Sequence, residues 1–314
     1  MTTNRTSELH SLSDRAGVAV KPGTDSLEQV LEQTNLNWGV EKAQAYSPEG
    51  DEIPNLFLLR RDDTRDVLNV VKGRYQPVNN LDMFQPFDEL VKQHGATYEG
   101  AGVVSRGGTC WLSAKLPDTF EARAGDVVEK RMVAMANHDG LRLNSYFFFS
   151  NRVFCNNMMG SLTNTARKHG HRVKHVGDWQ ANLEQATEGF AAALTDAAAF
   201  ETQAKQLVNT RMSNNQAERF INRFVPDATP REGEKQVTER QKGRVERVRN
   251  ELMELFNTGA GNEGVSRWDM LNAVTEYYDH HAFRKNTQAA RAFVSNAQGL
   301  HTHKNRAMEL LLAA

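Results

Sequence analysis

Apolar residues along this chain recur with two periods, and the change from one to the other divides it. Residues 26–34 place Leu27, Val30 and Leu31 on one face at helical spacing, which predicts a short helix. Residues 36–45 alternate instead, through Trp38, Val40 and Ala43, as a half-buried strand does. Two strands follow between residues 55 and 75, LFLLRRDD and VLNVVKGRY, with a turn near Asp62 to Thr64. The run NNLDMFQPFDELVKQHG returns to helical spacing, with Asn80 as an N-cap and Gly95 as a stop. Residues 96–104 and 109–116 predict a hairpin across Ser105-Arg106-Gly107-Gly108. A strand over 127–136, a turn at Asn137-His138-Asp139-Gly140 and the long strand LRLNSYFFFSNRVFC come next. Residues 156–168 predict a helix.

After Asp178 the alternation stops. Alanine-rich and charged segments of helical period run through 180–224, 236–256, 267–281 and 287–312. Pro226 and Pro230 mark one break and the glycine-rich stretch 258–264 another. Ser266, with Asp269 three residues on, has the spacing of a capping box for the helix that follows. Residues 1–24 carry Ser, Thr, Gly and charge without period and predict a flexible tail. The expected fold is α+β. A core over 25–178 holds an N-terminal antiparallel sheet with flanking helices, and a mainly helical region over 179–314 packs on it.

Composition narrows the classes. With 39% hydrophobic and 25% charged residues and a mean hydropathy of −0.61, the chain reads as a water-soluble globular protein. No apolar run reaches the roughly 18 residues of a membrane span, and the polar start lacks the apolar region of a secretion signal. Cys110 and Cys155 stand beside aromatic residues and read as buried free thiols in a cytoplasm. The net charge of −1 gives no global signal for nucleic acid, so that function would need a local patch.

Catalytic signatures are missing. There is no phosphate-binding GxxxxGK[ST] loop, no GxGxxG opening a helix, no GxSxG and no HExxH. His138-Asp139 resembles the first pair of a phosphohydrolase metal site but sits in a turn, and its partner ligands are not identifiable. Neither cysteine has zinc-ligand spacing. No cofactor is expected.

One stretch differs. Residues 167–175, RKHGHRVKH, carry Arg167, Lys168, Arg172 and Lys174 with three histidines, and no acid follows until Asp178. Upstream, Arg142, Arg152, Asn144, Asn151, Asn156 and Asn157 are interleaved with Tyr146 and Phe147 to Phe149. On a strand, Arg142, Asn144 and Tyr146 share one face. Cations meeting phosphates and rings stacking on bases suit single-stranded nucleic acid. A solvated turn beside an aromatic sheet core is the plain structural alternative.

Four ordered segments carry a resemblance. VVKGRYQPVNN, residues 70–80, with Phe84 and Phe87; Gly107-Gly-Thr-Cys-Trp111 followed by Ala114-Lys-Leu-Pro117; Ser150 to Asn157; and Leu271 to Tyr277 with Asp279-His280 are similar to motifs of a phage- and plasmid-like family, domain of unknown function 932. Trp38-Gly-Val-Glu41 fits its usual N-terminal element. Met158, where the family often has Thr, and the altered stretch Asn137 to Arg142 depart from it.

The resemblance implies a mobile-element context. The element order is similar to that of single-strand annealing proteins, which line a positive groove and assemble into rings or filaments. The leading expectation is a non-catalytic protein of a phage or plasmid that binds nucleic acid, possible targets being single-stranded DNA in recombination or replication. Its contacts would be Arg142, Arg152, Arg167, Lys168, His171, Arg172 and Lys174, with Asn156 and Asn157 at a helix N-terminus. The alternatives are a host-interaction or defence-modulating protein that binds another protein, and a metal-dependent nuclease built around His138, Asp139 and the histidine clusters His169, His171 and His175, His280 and His281, and His301 and His303. A homo-oligomer is a further expectation, with the cytoplasm of the bearing bacterium as the location. The face of Asn272, Thr275, Glu276 and Asp279 is expected to dock a helix through buried hydrogen bonds.

Overall fold

The computed structural model describes residues 17–138, 144–152, 157–160, 171–173, 188, 198–230, 232, 236–282 and 302–313. For residues 105, 144–149, 151–152, 157–160 and 171–173 it describes the backbone. Among these residues the chain is α+β, with antiparallel sheets in the first half and helices in the second.

Two sheets form. The smaller is a meander of β2 (Val40–Tyr46), β3 (Glu52–Arg61) and β4 (Val67–Lys72). The larger runs β1 (Val18–Ala19), β5 (Thr97–Val104), β6 (Thr109–Glu121), β7 (Val127–Asn137), β8 (Asn144–Arg152) and β10 (His171–Val173), with β9 (Asn157–Gly160) also paired to β8. All of these pairings are antiparallel. The stretch read as a flexible tail therefore ends in structure. Val18 pairs with Ala101 in β5, and Val20 is buried.

The β5–β6 hairpin closes through a tight turn at Ser105–Gly107, with Arg106 at φ 59° and Gly107 at φ 107°. A side chain at Gly107 would also meet the Trp38 ring at 3.0 Å. Glycine is thus required there on both counts.

Helices α1 (Leu27–Gln33) and α2 (Asn80–Gln93) cover one face of the large sheet. Their apolar stripes, Leu27, Val30 and Leu31 with Phe84, Phe87, Leu90 and Val91, meet Cys110, Leu112, Ala114, Met132 and Ala134 from β6 and β7. Each such large side chain removed from water contributes on the order of 1.5–3 kcal/mol. The N-cap of α2 is Asn79, one residue before the position expected; Asn80 is the first helical residue and is buried. Gly95 follows the last turn at φ +60°, as a helix stop requires.

The second half contains α3, helical over the described residues 198–209, α4 (Asn214–Phe224), α5 (Glu239–Thr258), α6 (Arg267–Glu276) and α7 (Thr302–Ala313). A single wider turn, Tyr277–His281, extends α6. Capping boxes begin α4 at Ser213, α5 at Thr238 and α6 at Ser266, the last with Asp269 as the sequence indicated.

Their apolar faces form a second cluster, which also takes in Phe120, Ala122 and Val128 from the far end of the β6–β7 hairpin. Polar links tie that hairpin end to the helices. Trp268 Nε1 donates to Asp126 Oδ2 at 2.8 Å, and Arg123 lies 2.9 Å from the Asp269 carboxylate. None of the described helices is long and apolar enough to cross a membrane. The helical segments expected over 180–187, 189–197 and 287–301 lie outside the described residues.

Candidate functional site

Strand β8 has two edges, and its neighbours decide what each can do. β7 occupies one edge, from Val128 opposite Arg152 to Met135 opposite Ser145. β9 and β10 therefore share the other. β9 pairs with the C-terminal end of β8, Asn157 opposite Arg152 and Gly160 opposite Phe149. β10 pairs with the N-terminal end, His171 opposite Tyr146 and Arg172 opposite Ser145. Three candidate residues, Asn157, His171 and Arg172, thus lie on the two edge strands, in two groups, with Arg152 one strand in, opposite Asn157. From Ser145 to Arg152 the strand covers roughly 23 Å at about 3.3 Å per residue.

Arg142, Asn156, Arg167, Lys168 and Lys174 lie outside the described residues, as do Asp139 and Cys155.

This arrangement corrects the helix expected over residues 156–168. Asn157–Gly160 is a strand, so Asn157 does not stand at a helix N-terminus. His171–Val173, in the basic stretch beyond that expected helix, is a strand as well. The physical reason is the open edge of β8. Its backbone N–H and C=O groups need partners, and pairing there satisfies both chains.

Cations on the neighbouring strands are already engaged. Arg131 is held between Glu99, at 2.6 Å, and Glu129, at 2.6 Å. Lys115 pairs with Glu129 at 2.6 Å, and Lys130 approaches Glu201 at 3.7 Å. Burial raises the Glu129 carboxyl, but the Lys115 hydrogen bond and the Arg131 charge outweigh it and hold it below its ordinary value. These ion pairs fix the sheet. His171 and Arg172 of β10 are the additional basic residues that the topology places at the edge, with Arg152 of β8 one strand in.

A second polar group lies inside the sheet's core. Asn80 Nδ2 donates to the Leu36 carbonyl at 2.9 Å and to the Trp38 carbonyl at 3.3 Å. Its Oδ1 is therefore free to accept from His138 Nε2, 2.7 Å away. The His138 ring packs on Trp38 with centroids 5.2 Å apart, and the Arg61 guanidinium covers the Trp38 ring at 4.1 Å. His138 was expected in a turn; it is buried, and its backbone N–H donates to Gly108. With Nε2 donating, that nitrogen is not a metal ligand. The Asn80, Trp38 and His138 positions were each legible singly. Their meeting was not, because it joins segments separated by 42 and 58 residues.

Cys110 is fully buried, as expected, with burial pushing its thiol upward. On α6 and the turn beyond it, Asn272, Thr275, Glu276 and Asp279 are all buried. Glu276 Oε2 accepts the Ala260 N–H at 3.0 Å, and Asp279 pairs with the buried Lys304 of α7. Glu276 and Asp279 thus dock the helix, as the spacing suggested, whereas Thr275 Oγ1 donates within its own helix, to the Asn272 carbonyl at 2.9 Å.

The whole is an α+β protein whose large antiparallel sheet ends in an edge that gathers basic residues, backed by a helical half. The chain belongs to the family described as domain of unknown function (DUF932), whose profile matches residues 67–300. No curated protein and no solved structure matches it.

Proposed function

We propose that this protein binds single-stranded nucleic acid, without catalysis, along the β9–β10 edge of its large sheet. One observation carries the reading: β9 and β10 pair with the same edge of β8, which aligns Arg152 and Asn157 at one end and His171 and Arg172 at the other. Guanidinium groups suit phosphate because their donors match its oxygens in pairs. A histidine beside phosphate gains charge as its pKa rises. Arg142, Asn156, Arg167, Lys168 and Lys174 would extend the same contact. A cytoplasmic role in the recombination or replication of a phage or plasmid genome completes the proposal, and single-stranded DNA is the ligand it names first.

Fluorescence anisotropy with a labelled DNA single strand tests it. Binding at low salt is expected, with log affinity falling linearly against log salt by about 0.7 per phosphate neutralised. An unchanged anisotropy at low salt would remove the proposal.

A further inference from the structure

Helix α5 divides its charges between two faces. Glu239, Lys242, Glu246 and Arg249 lie on one side, and there the ion pairs form. Lys242 meets Glu239 at 2.8 Å, and Arg249 meets Asp227 at 2.8 Å and Glu246 at 3.6 Å. Arg240, Arg244 and Arg247 lie on another. At 100° per residue these three fall within an arc of about 60° and span about 10 Å of the axis.

All three are exposed. Arg240 and Arg244 have no carboxylate partner among the described residues. Arg247 Nε donates back to the Gly243 carbonyl at 3.1 Å. The nearest acid on the same stripe, Glu251, is already bonded to His281 Nδ1 at 2.9 Å.

The stripe borders a concavity of about 610 Å³, whose other polar lining is Thr229, Thr238 and Gln241. Among the described residues no carboxylate lines it. The capping box already engages the Thr238 side chain with the Gln241 N–H, so the arginines, and not the helix end, give the place its character. Half-buried Tyr277 lies within reach of the same charges. Burial and Glu251 raise its hydroxyl above the ordinary value, and Arg244 and Arg247 pull it the other way.

We infer that the Arg240–Arg244–Arg247 stripe is a second phosphate-binding surface, which takes the backbone of a nucleic-acid strand. The inference rests on the nucleic-acid reading above and adds a contact surface outside the sheet edge. Three exposed guanidinium groups, none in an ion pair among the described residues, complement a polyanion with regularly spaced charges. A nearby ring offers a base something to stack on.

The test is a variant carrying Arg240→Ala, Arg244→Ala and Arg247→Ala, measured by anisotropy with a labelled DNA single strand. Alanine favours the helix, so the fold should hold, and a circular-dichroism melt checks this. Lys242→Ala, on the paired face, is the control. The expected result is affinity lower by about tenfold or more, a salt slope shallower by about 2, and an unchanged control. A triple variant that binds like the parent overturns this inference and leaves the sheet edge as the binding surface. A parent protein that does not bind at low salt removes the function itself. Polyglutamate competing as well as unlabelled DNA at equal charge would assign the stripe to an acidic protein and overturn the inference too.

Discussion

Under the large sheet, Leu36, Phe84, Phe87, Leu90 and Leu112 pack around the neutral pair Asn80 with His138 and around one buried carboxylate, Asp88, which accepts from the Tyr98 hydroxyl at 2.8 Å. Among the helices, Leu252, Phe256, Trp268 and Leu311 pack around Asp126, Asp269, Glu276, Asp279 and Lys304. Both regions bury aromatic and aliphatic groups, yet the helical one buries more charge. The difference teaches where binding charge can come from. In the helical half Lys304 and Arg249 are bound to acids of their own chain, and Arg123 of the hairpin end is bound to Asp269. On the α5 stripe Arg240 and Arg244 have no acid partner among the described residues, and exposed cations of that kind are what a polyanion can use.

The comparison can be broken most sharply at the Lys304–Asp279 pair. Lys304→Met leaves the Asp279 carboxylate buried without its cation, and a loss of about 3–5 kcal/mol in chemical denaturation is expected. On the sheet side, Leu112→Ala should cost about 2–5 kcal/mol through the lost apolar contacts and the cavity left behind. Asn80→Ala should cost about 1–3 kcal/mol, because His138 Nε2 and two backbone carbonyls lose their partner.

The smallest effect is the one that depends on pH. The Glu276 hydrogen bond comes first, with Glu251 adding to it, in raising His281 above its ordinary 6.5 against the opposing effect of burial. A raised folded-state value means that protonated His281 stabilises the protein fully below that ordinary value. The contribution is lost as pH climbs through the raised one. His281→Gln should therefore flatten the fall in melting temperature over that window. The Leu112→Ala loss should be the same on both sides of it.

Much of the fold could be read from period alone. The α2 stripe of Met83, Phe84, Phe87, Leu90 and Val91, the β5–β6 hairpin and the capping box at Ser266 follow local rules that neighbours reinforce. The passage after Cys155 did not. Asn156-Asn157 before Met158 and Met159 has the look of a capped helix start, and a four-residue strand has no period long enough to contradict it. What decides Asn157–Gly160 is the β8 edge, a partner supplied from elsewhere in the chain.

The candidate site was legible as composition and not as geometry. RKHGHRVKH announces charge, but nothing in it says that His171 would pair opposite Tyr146. The α5 stripe was open to reading from its four- and three-residue spacing. It was hidden because the same helix mixes in Glu239, Lys242 and Glu246, and the division into faces emerges only on the helical wheel.

Backbone amide hydrogen exchange, with and without a saturating DNA single strand, tests the central claim most directly. The account predicts added protection in peptides covering Arg152 to Gly160 and His171 to Val173, where edge strands are the first to open. Exchange in those peptides that does not change on adding DNA, while binding is seen by anisotropy, would contradict the sheet edge as the binding surface.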